Sequence, residues 1–262
     1  MASLISDVAT LKRIAELITR YHQLPFSPAN SIPGSVMEAT LGIARGPEAE
    51  VLRTYDFVDV IDRKNHFGWQ VKSTKLATPV TWKRAKIENA GQKRTDARKS
   101  PAAAQEVGNE IIAFCNKHAR ESLDRYDLNE IGYARLVVNP NNTATYFERP
   151  LVTMASLVLF HPENFTWEWS EARTNANKDQ QPSLAAYDQK RVRWFSWYSE
   201  NQLHFNNEKA WWPALGDPNR IDFNLPTTKI KLEELMGWLE SLDDTAITTA
   251  GPTSASGAGD DQ

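Results

Sequence analysis

Residues 56–74, DFVDVIDRKNHFGWQVKST, restrict the fold more than any other stretch of the chain. Two runs rich in Val, Ile, Phe and Trp flank the polar Arg63-Lys64-Asn65, which predicts two antiparallel strands joined by a tight turn. If the turn centres between Lys64 and Asn65, Val60 faces Trp69 and Asp59 faces Gln70, with facing Cβ atoms about 4.5–5.5 Å apart. Alternation then sends Trp69 and Val71 to one face of the second strand and Gln70 and Lys72 to the other, the latter two about 6.5 Å apart. Val58 and Val60 are expected to join Trp69 and Val71 in a core. Burying an unpartnered charge costs several kcal/mol. The carboxylate, the amide and the ammonium are therefore expected to gather at one place, either the surface or an ion.

A hairpin needs cover, and the flanking sequence supplies helices. Residues 6–22 place Leu11, Ile14, Leu17 or Ile18, and Tyr21 on one stripe, with Ser6 as cap. A second helix is expected over 34–45, ended by Gly46-Pro47. Ser100-Pro101 opens a long helix, and GYARLVVNP, residues 132–140, reads as the next strand. Helix, hairpin, helix, strand is the order of an α/β chain with one mixed sheet. From 144 onward strands dominate, at 144–150, 155–160 and 164–170. A polar loop at 171–183 follows, then a hairpin turning at residues 200–202 and an amphipathic helix over 231–242. Six of the nine tryptophans fall between 167 and 212, marking this half as aromatic-rich. A single domain over 1–242 is expected, with a disordered, acidic tail at 243–262.

Several function classes are excluded by what the chain lacks. No Walker loop, dinucleotide fingerprint or nucleophile elbow occurs. The five histidines show no HExxH spacing, and Cys115 alone cannot form an internal disulfide or a thiolate zinc site. No apolar run approaches the roughly 18 residues of a membrane span, and the N-terminus does not read as a signal peptide. A reducing cytoplasm is the expected location. A net charge of −3 argues against a uniformly basic nucleic-acid binder, yet residues 83–99 carry seven Lys or Arg against Glu88 and Asp96. This segment reads as a basic loop beside the second strand. Lys83, Arg84, Lys86, Lys93 and Arg94 are candidates for phosphate contact, and Trp82 for stacking on a base. Trp211-Trp212 reads as the anchor of a loop or an interface.

A carboxylate and an amide oxygen suit a hard divalent ion, and a lysine beside them can orient a water and offset phosphate charge. Asp59, the run Gln70-Val71-Lys72 and the upstream Glu38 together resemble the PD-(D/E)xK nuclease superfamily, and within it the type II restriction endonucleases. The resemblance covers about residues 31–140, and Gln70 stands where the family usually has an acid. It implies a restriction-endonuclease-like core, a mixed central sheet flanked by helices, here with a β-rich C-terminal extension over about 144–225. It also implies Mg²⁺ held by Asp59, Gln70 and Glu38, with Lys72 completing the catalytic set. Double-stranded DNA is the implied substrate, and a homodimer would match a palindromic site. Asp56 competes with Asp59 as ligand, since residues three apart on a strand point to opposite faces. Glu38 has a second reading as the partner of Ser35 in a capping box. Two rival functions stay open: a non-catalytic DNA-binding module on a degenerate nuclease scaffold, and a nuclease for modified or structured DNA.

Overall fold

The computed structural model describes residues 3–52, 56–175 and 178–241; the expected tail at 243–262 lies outside them. Its elements run α1 (Val8–Gln23), α2 (Gly34–Arg45), β1 (Ala49–Val51), β2 (Val60–Asp62), β3 (Phe67–Lys75), β4 (Val80–Arg84), α3 (Ala90–Lys99) and α4 (Pro101–Tyr126). They continue with β5 (Glu130–Val138), β6 (Thr143–Thr153), β7 (Thr166–Ser170), β8 (Arg173–Asn175), β9 (Lys178–Gln180), β10 (Ser183–Tyr187), β11 (Arg193–Trp197), β12 (Gln202–Phe205), β13 (Arg220–Asn224) and α5 (Leu232–Glu240). No helix among the described residues is long and apolar enough to cross a membrane.

The chain is a mixed α/β structure. Among the described residues one sheet has six strands in the order β1-β2-β3-β5-β6-β13, in which β3 and β5 are parallel and the other neighbours antiparallel. That parallel pair requires a crossover, and α3 and α4 lie within it. A second sheet runs β4-β12-β11-β10-β7, all antiparallel. Strands β8 and β9 form a separate hairpin within the stretch expected to be a loop.

Two cores sandwich the six-stranded sheet. On one side Ile14 and Ile18 of α1 and Met37 and Leu41 of α2 pack on Val60, Trp69, Val71, Ala134 and Leu136. On the other side Val58, Ile61, Ile131 and Tyr133 meet Ile111 and Cys115 of α4 and the aromatic residues of the second sheet. Buried on both faces, β5 reads as a near-continuous apolar run rather than an alternation. Each fully buried leucine or isoleucine contributes on the order of 1.5–3 kcal/mol, so these layers hold the frame on which the hairpin sits.

Several local expectations need correction. Asp7, not Ser6, caps α1, its carboxylate accepting from the Thr10 amide at 2.8 Å, because Ser6 is drawn instead to the buried Glu148. The Ser35–Glu38 capping box does not form: α2 begins at Gly34, so Ser35 is already inside the helix, and no side chain caps it. Residues 155–160 are not a strand, since only Ser156 makes an isolated bridge, back to Thr153. Residues 83–99 are not a loop, for β4 and α3 take up most of them. Val58 belongs to the opposite core from Val60, Trp69 and Val71, because the regular ladder of β2 starts only at Val60.

Candidate active site

The hairpin register is the expected one from Val60↔Trp69 to Asp62↔Phe67. Its turn is closed locally by the Asp62 carboxylate, which accepts from the Asn65 amide at 3.0 Å and from its side-chain Nδ2 at 2.7 Å. Before Val60 the ladder changes. The Asp59 amide donates to the Trp69 carbonyl at 2.8 Å, and Asp59 Oδ2 accepts the Val71 amide at 2.7 Å. A carboxylate thus takes the place of a backbone acceptor, which holds the side chain of Asp59 against β3. Lys72 follows directly, and its Nζ lies 3.9 Å from the same Oδ2. The two side chains are 21% and 22% exposed, so the pair is open to a ligand without being fully solvated.

A third charged group arrives from the other sheet. Lys83 on β4 donates from Nζ to the Asp56 carbonyl at 2.8 Å. Burial pushes its pKa below the ordinary lysine value, the Lys72 ammonium pushes it the same way, and Asp59 and Asp56 partly offset them. The sequence offered no signal for this approach. It depends on β4 pairing with β12, some 120 positions away, at Gln202↔Arg84 and Leu203↔Lys83. Asp56 itself is tied to the end of α4: Oδ1 accepts from Arg125 Nη1 at 2.5 Å, and Oδ2 from the Tyr126 hydroxyl. With both oxygens engaged, Asp56 is the weaker candidate ligand.

The other expected residues divide. Gln70 is 1% exposed, not on an open polar face. Its Nε2 donates to the Trp82 carbonyl at 3.3 Å, and its Oε1 is buried with no hydrogen-bond partner among the described residues. Glu38 stands half-buried on α2, whose inner residues Met37 and Leu41 pack with Trp69 and Val71 on the face away from the aromatic core. Among the described residues, no group of three or more His, Cys, Asp or Glu side chains is placed to hold a metal ion. Gln70 Oε1 is the atom that fits an ion, an acceptor out of water and without a donor. Gln70 Oε1 and the Asp59 carboxylate are the two oxygen donors that this hairpin could offer an ion. That suits Mg²⁺, which binds through one or two carboxylates and fills its shell with water and substrate phosphate.

The basic segment also divides. Trp82 is 1% exposed and ringed by Phe57, Tyr133, Phe160, Phe205 and Trp211 at centroid distances of 5.4–6.1 Å. It is core and out of reach of a base, and Trp211 is its neighbour there. Lys93 is bound to Glu110 at 2.5 Å. Arg94 donates to the Tyr198 carbonyl at 2.6 Å and lies 4.2 Å over the Trp197 ring. Arg84 and Lys86 remain exposed, and Lys86 lines a groove of about 730 Å³ with Lys117 and Arg120 of α4. No protein-family profile, curated protein or solved structure matches the chain.

Proposed function

We propose that the protein is a Mg²⁺-dependent endonuclease of restriction type that hydrolyses phosphodiester bonds in double-stranded DNA. One observation carries the reading: Lys72 on β3 and Asp59, just before β2, meet at 3.9 Å, half-open, with Lys83 beside them. The element order of helix, antiparallel hairpin, crossover helix and parallel strand supports a restriction-endonuclease-like core around that pair. Asp59 and Gln70 Oε1 would hold the ion, whereas Glu38 stands on the helix that covers the other face of β3 from Gln70 and does not share that face. The bound ion would act as a Lewis acid on the phosphate and lower the pKa of a water.

The chain's own residues do the rest. Lys72 orients the attacking water and is itself positioned by the Asp59 carboxylate. Lys83, partly stripped of water, offers a charge to the phosphate that a solvated lysine would offer only weakly. Arg84 and Lys86 follow the backbone along the groove beside α4. The β-rich second half reads base edges, and a homodimer would match a palindromic target.

A second reading has its own support. Gln70 turns its amide toward Trp82, and no three-ligand acidic group forms among the described residues. Both features fit a DNA-binding module that has lost cleavage. Incubation with mixed-sequence duplex DNA, with and without Mg²⁺, separates the two. Discrete metal-dependent fragments that disappear in Lys72→Ala support the nuclease. Retarded but intact DNA supports the binding module and rejects the nuclease.

A further inference from the structure

A cleft of about 550 Å³ lies between the loop that follows β6, the β10–β11 turn and Trp211. Phe160, Phe165, Trp194 and Trp211 bring four phenyl or indole rings to its walls. Phe160 and Trp211 are stacked, 5.5 Å between centroids and 17° apart in plane, and Trp194 lies over Phe205 at 5.8 Å and 22°. Each pair uses one face of its rings and Arg149 takes up a face of Trp211, so the cleft presents a π-ligand with ring edges and with Trp194.

Arg149 of β6 also lines the cleft. Its guanidinium carbon sits 4.3 Å from the Trp211 ring centroid, and Nη1 reaches the Trp211 carbonyl at 3.4 Å. Nε is buried with no hydrogen-bond partner among the described residues. Among the described residues no carboxylate pairs with this arginine, and burial draws its pKa below the ordinary value. Asp188 stands in the same cleft but is already engaged, by the Trp194 indole at 2.9 Å and by the amides of Lys190 and Val192. A half-buried guanidinium without a carboxylate is a receptor for an anion, above all a phosphate. At the rim, Asn164 and Gln189 are exposed. Their side-chain amides carry the paired donor and acceptor that match a base edge.

We propose that this cleft binds one nucleotide unit, its base against the Phe160, Trp194 and Trp211 rings, its edge read by Asn164 and Gln189, and its phosphate on Arg149 and Lys190. The unit comes either from a strand, as a base turned out of the stack, or from free nucleotide. Neither Asp59 nor Lys72 is among the residues that line the cleft. Gln70, Tyr133 and Arg149 lie in one row across β3, β5 and β6, which puts Gln70 and Arg149 two strand spacings apart, about 9.6 Å.

Calorimetric titration with the four deoxynucleoside monophosphates, with deoxyribose 5-phosphate and with a short single-stranded oligonucleotide tests this. The expected result is saturable binding of a mononucleotide or of the oligonucleotide, weakened about tenfold or more by Arg149→Gln. The same loss is expected in the doubly substituted Asn164→Ala, Lys190→Ala protein, whose changes fall at exposed positions and spare the fold. Binding of free mononucleotides identifies the free source, and binding of the oligonucleotide alone identifies the strand. No saturation by either, affinity unchanged in both variants, or deoxyribose 5-phosphate binding as tightly as a nucleotide would overturn the proposal. Intact DNA in the cleavage assay would sink the nuclease reading and leave this titration untouched.

Discussion

On the helix-covered face of the six-stranded sheet, Glu148 is wholly buried, whereas at β3 Asp59 and Lys72 are each about one-fifth exposed. Glu148 accepts from the Ser6 amide and hydroxyl, the Tyr146 hydroxyl and Arg45 Nη2, at 2.6–2.8 Å. The other face repeats the device: Arg135, 1% exposed, meets Glu208 at 2.5 Å and also donates to Thr74 Oγ1 at 2.8 Å. Burial holds Tyr133 and Tyr146 far above the ordinary phenol range, so both remain O–H donors to these glutamates. Every such contact is short and sealed. The Asp59–Lys72 contact is long, and a second lysine shares its surroundings. Both oxygens of buried Glu148 are satisfied, which is what offsets the desolvation of a buried charge. A half-open pair instead keeps its charge available to a ligand, and the difference separates the ionic groups that hold the fold from the pair that the proposed function assigns to a phosphate.

The sharpest way to break this comparison is to open a sealed pair. Glu148→Ala strands Arg45 and should lower the unfolding free energy by about 3–5 kcal/mol, and Glu208→Ala should do the same for Arg135. Urea denaturation measures both; a loss below about 1 kcal/mol would mean that water relieves these sites and that they are not sealed. Gln70→Glu comes next. It sets a carboxylate against the Trp82 carbonyl and should cost about 1–3 kcal/mol. Added Mg²⁺ should recover part of that loss if Gln70 Oε1 faces an ion, and melting curves with and without the metal decide it.

A smaller effect comes from Lys83. Its folded pKa is depressed, so the unfolded chain binds more protons, and stability rises with pH between that depressed value and the ordinary 10.5. Lys83→Met should therefore be more stable than wild type at neutral pH, with the gap closing as pH approaches 10.5. A gap that stays constant would place Lys83 in a solvated setting. Smallest is the salt dependence of DNA binding. Arg84→Ala and Lys86→Ala should each remove about 0.9 from the slope of log K against log salt. Lys93→Ala and Arg94→Ala should leave the slope unchanged, because Glu110 and the Tyr198 carbonyl hold those side chains.

Much of the frame was legible because it is written in local chemistry. The Arg63-Lys64-Asn65 turn set the β2–β3 register, Ser100-Pro101 set the start of α4, and Gly46 ended α2. Alternation correctly separated Trp69 and Val71 from Gln70. The misreadings fall where distant contacts override local pattern. The run 83–99 looks solvated by composition, yet β4 is drawn into a sheet by β12, which buries Trp82 and turns Lys83 toward Asp56. Glu38 could be placed on a helix, but not on the side of the sheet that α2 covers.

Residue order alone determined the helix starts and stops, the hairpin and its pairing, and the adjacency of Gln70 and Lys72 on one strand, because hydrogen-bonding period and turn chemistry act over a few residues. Only the tertiary structure decided that Asp59 would accept the Val71 amide, that Lys83 would join Lys72, and that Arg149 would line an aromatic cleft with no carboxylate partner among the described residues. Those outcomes depend on which layer covers each face of the sheet, and burial of apolar surface, which is non-directional, sets that cover over the whole chain.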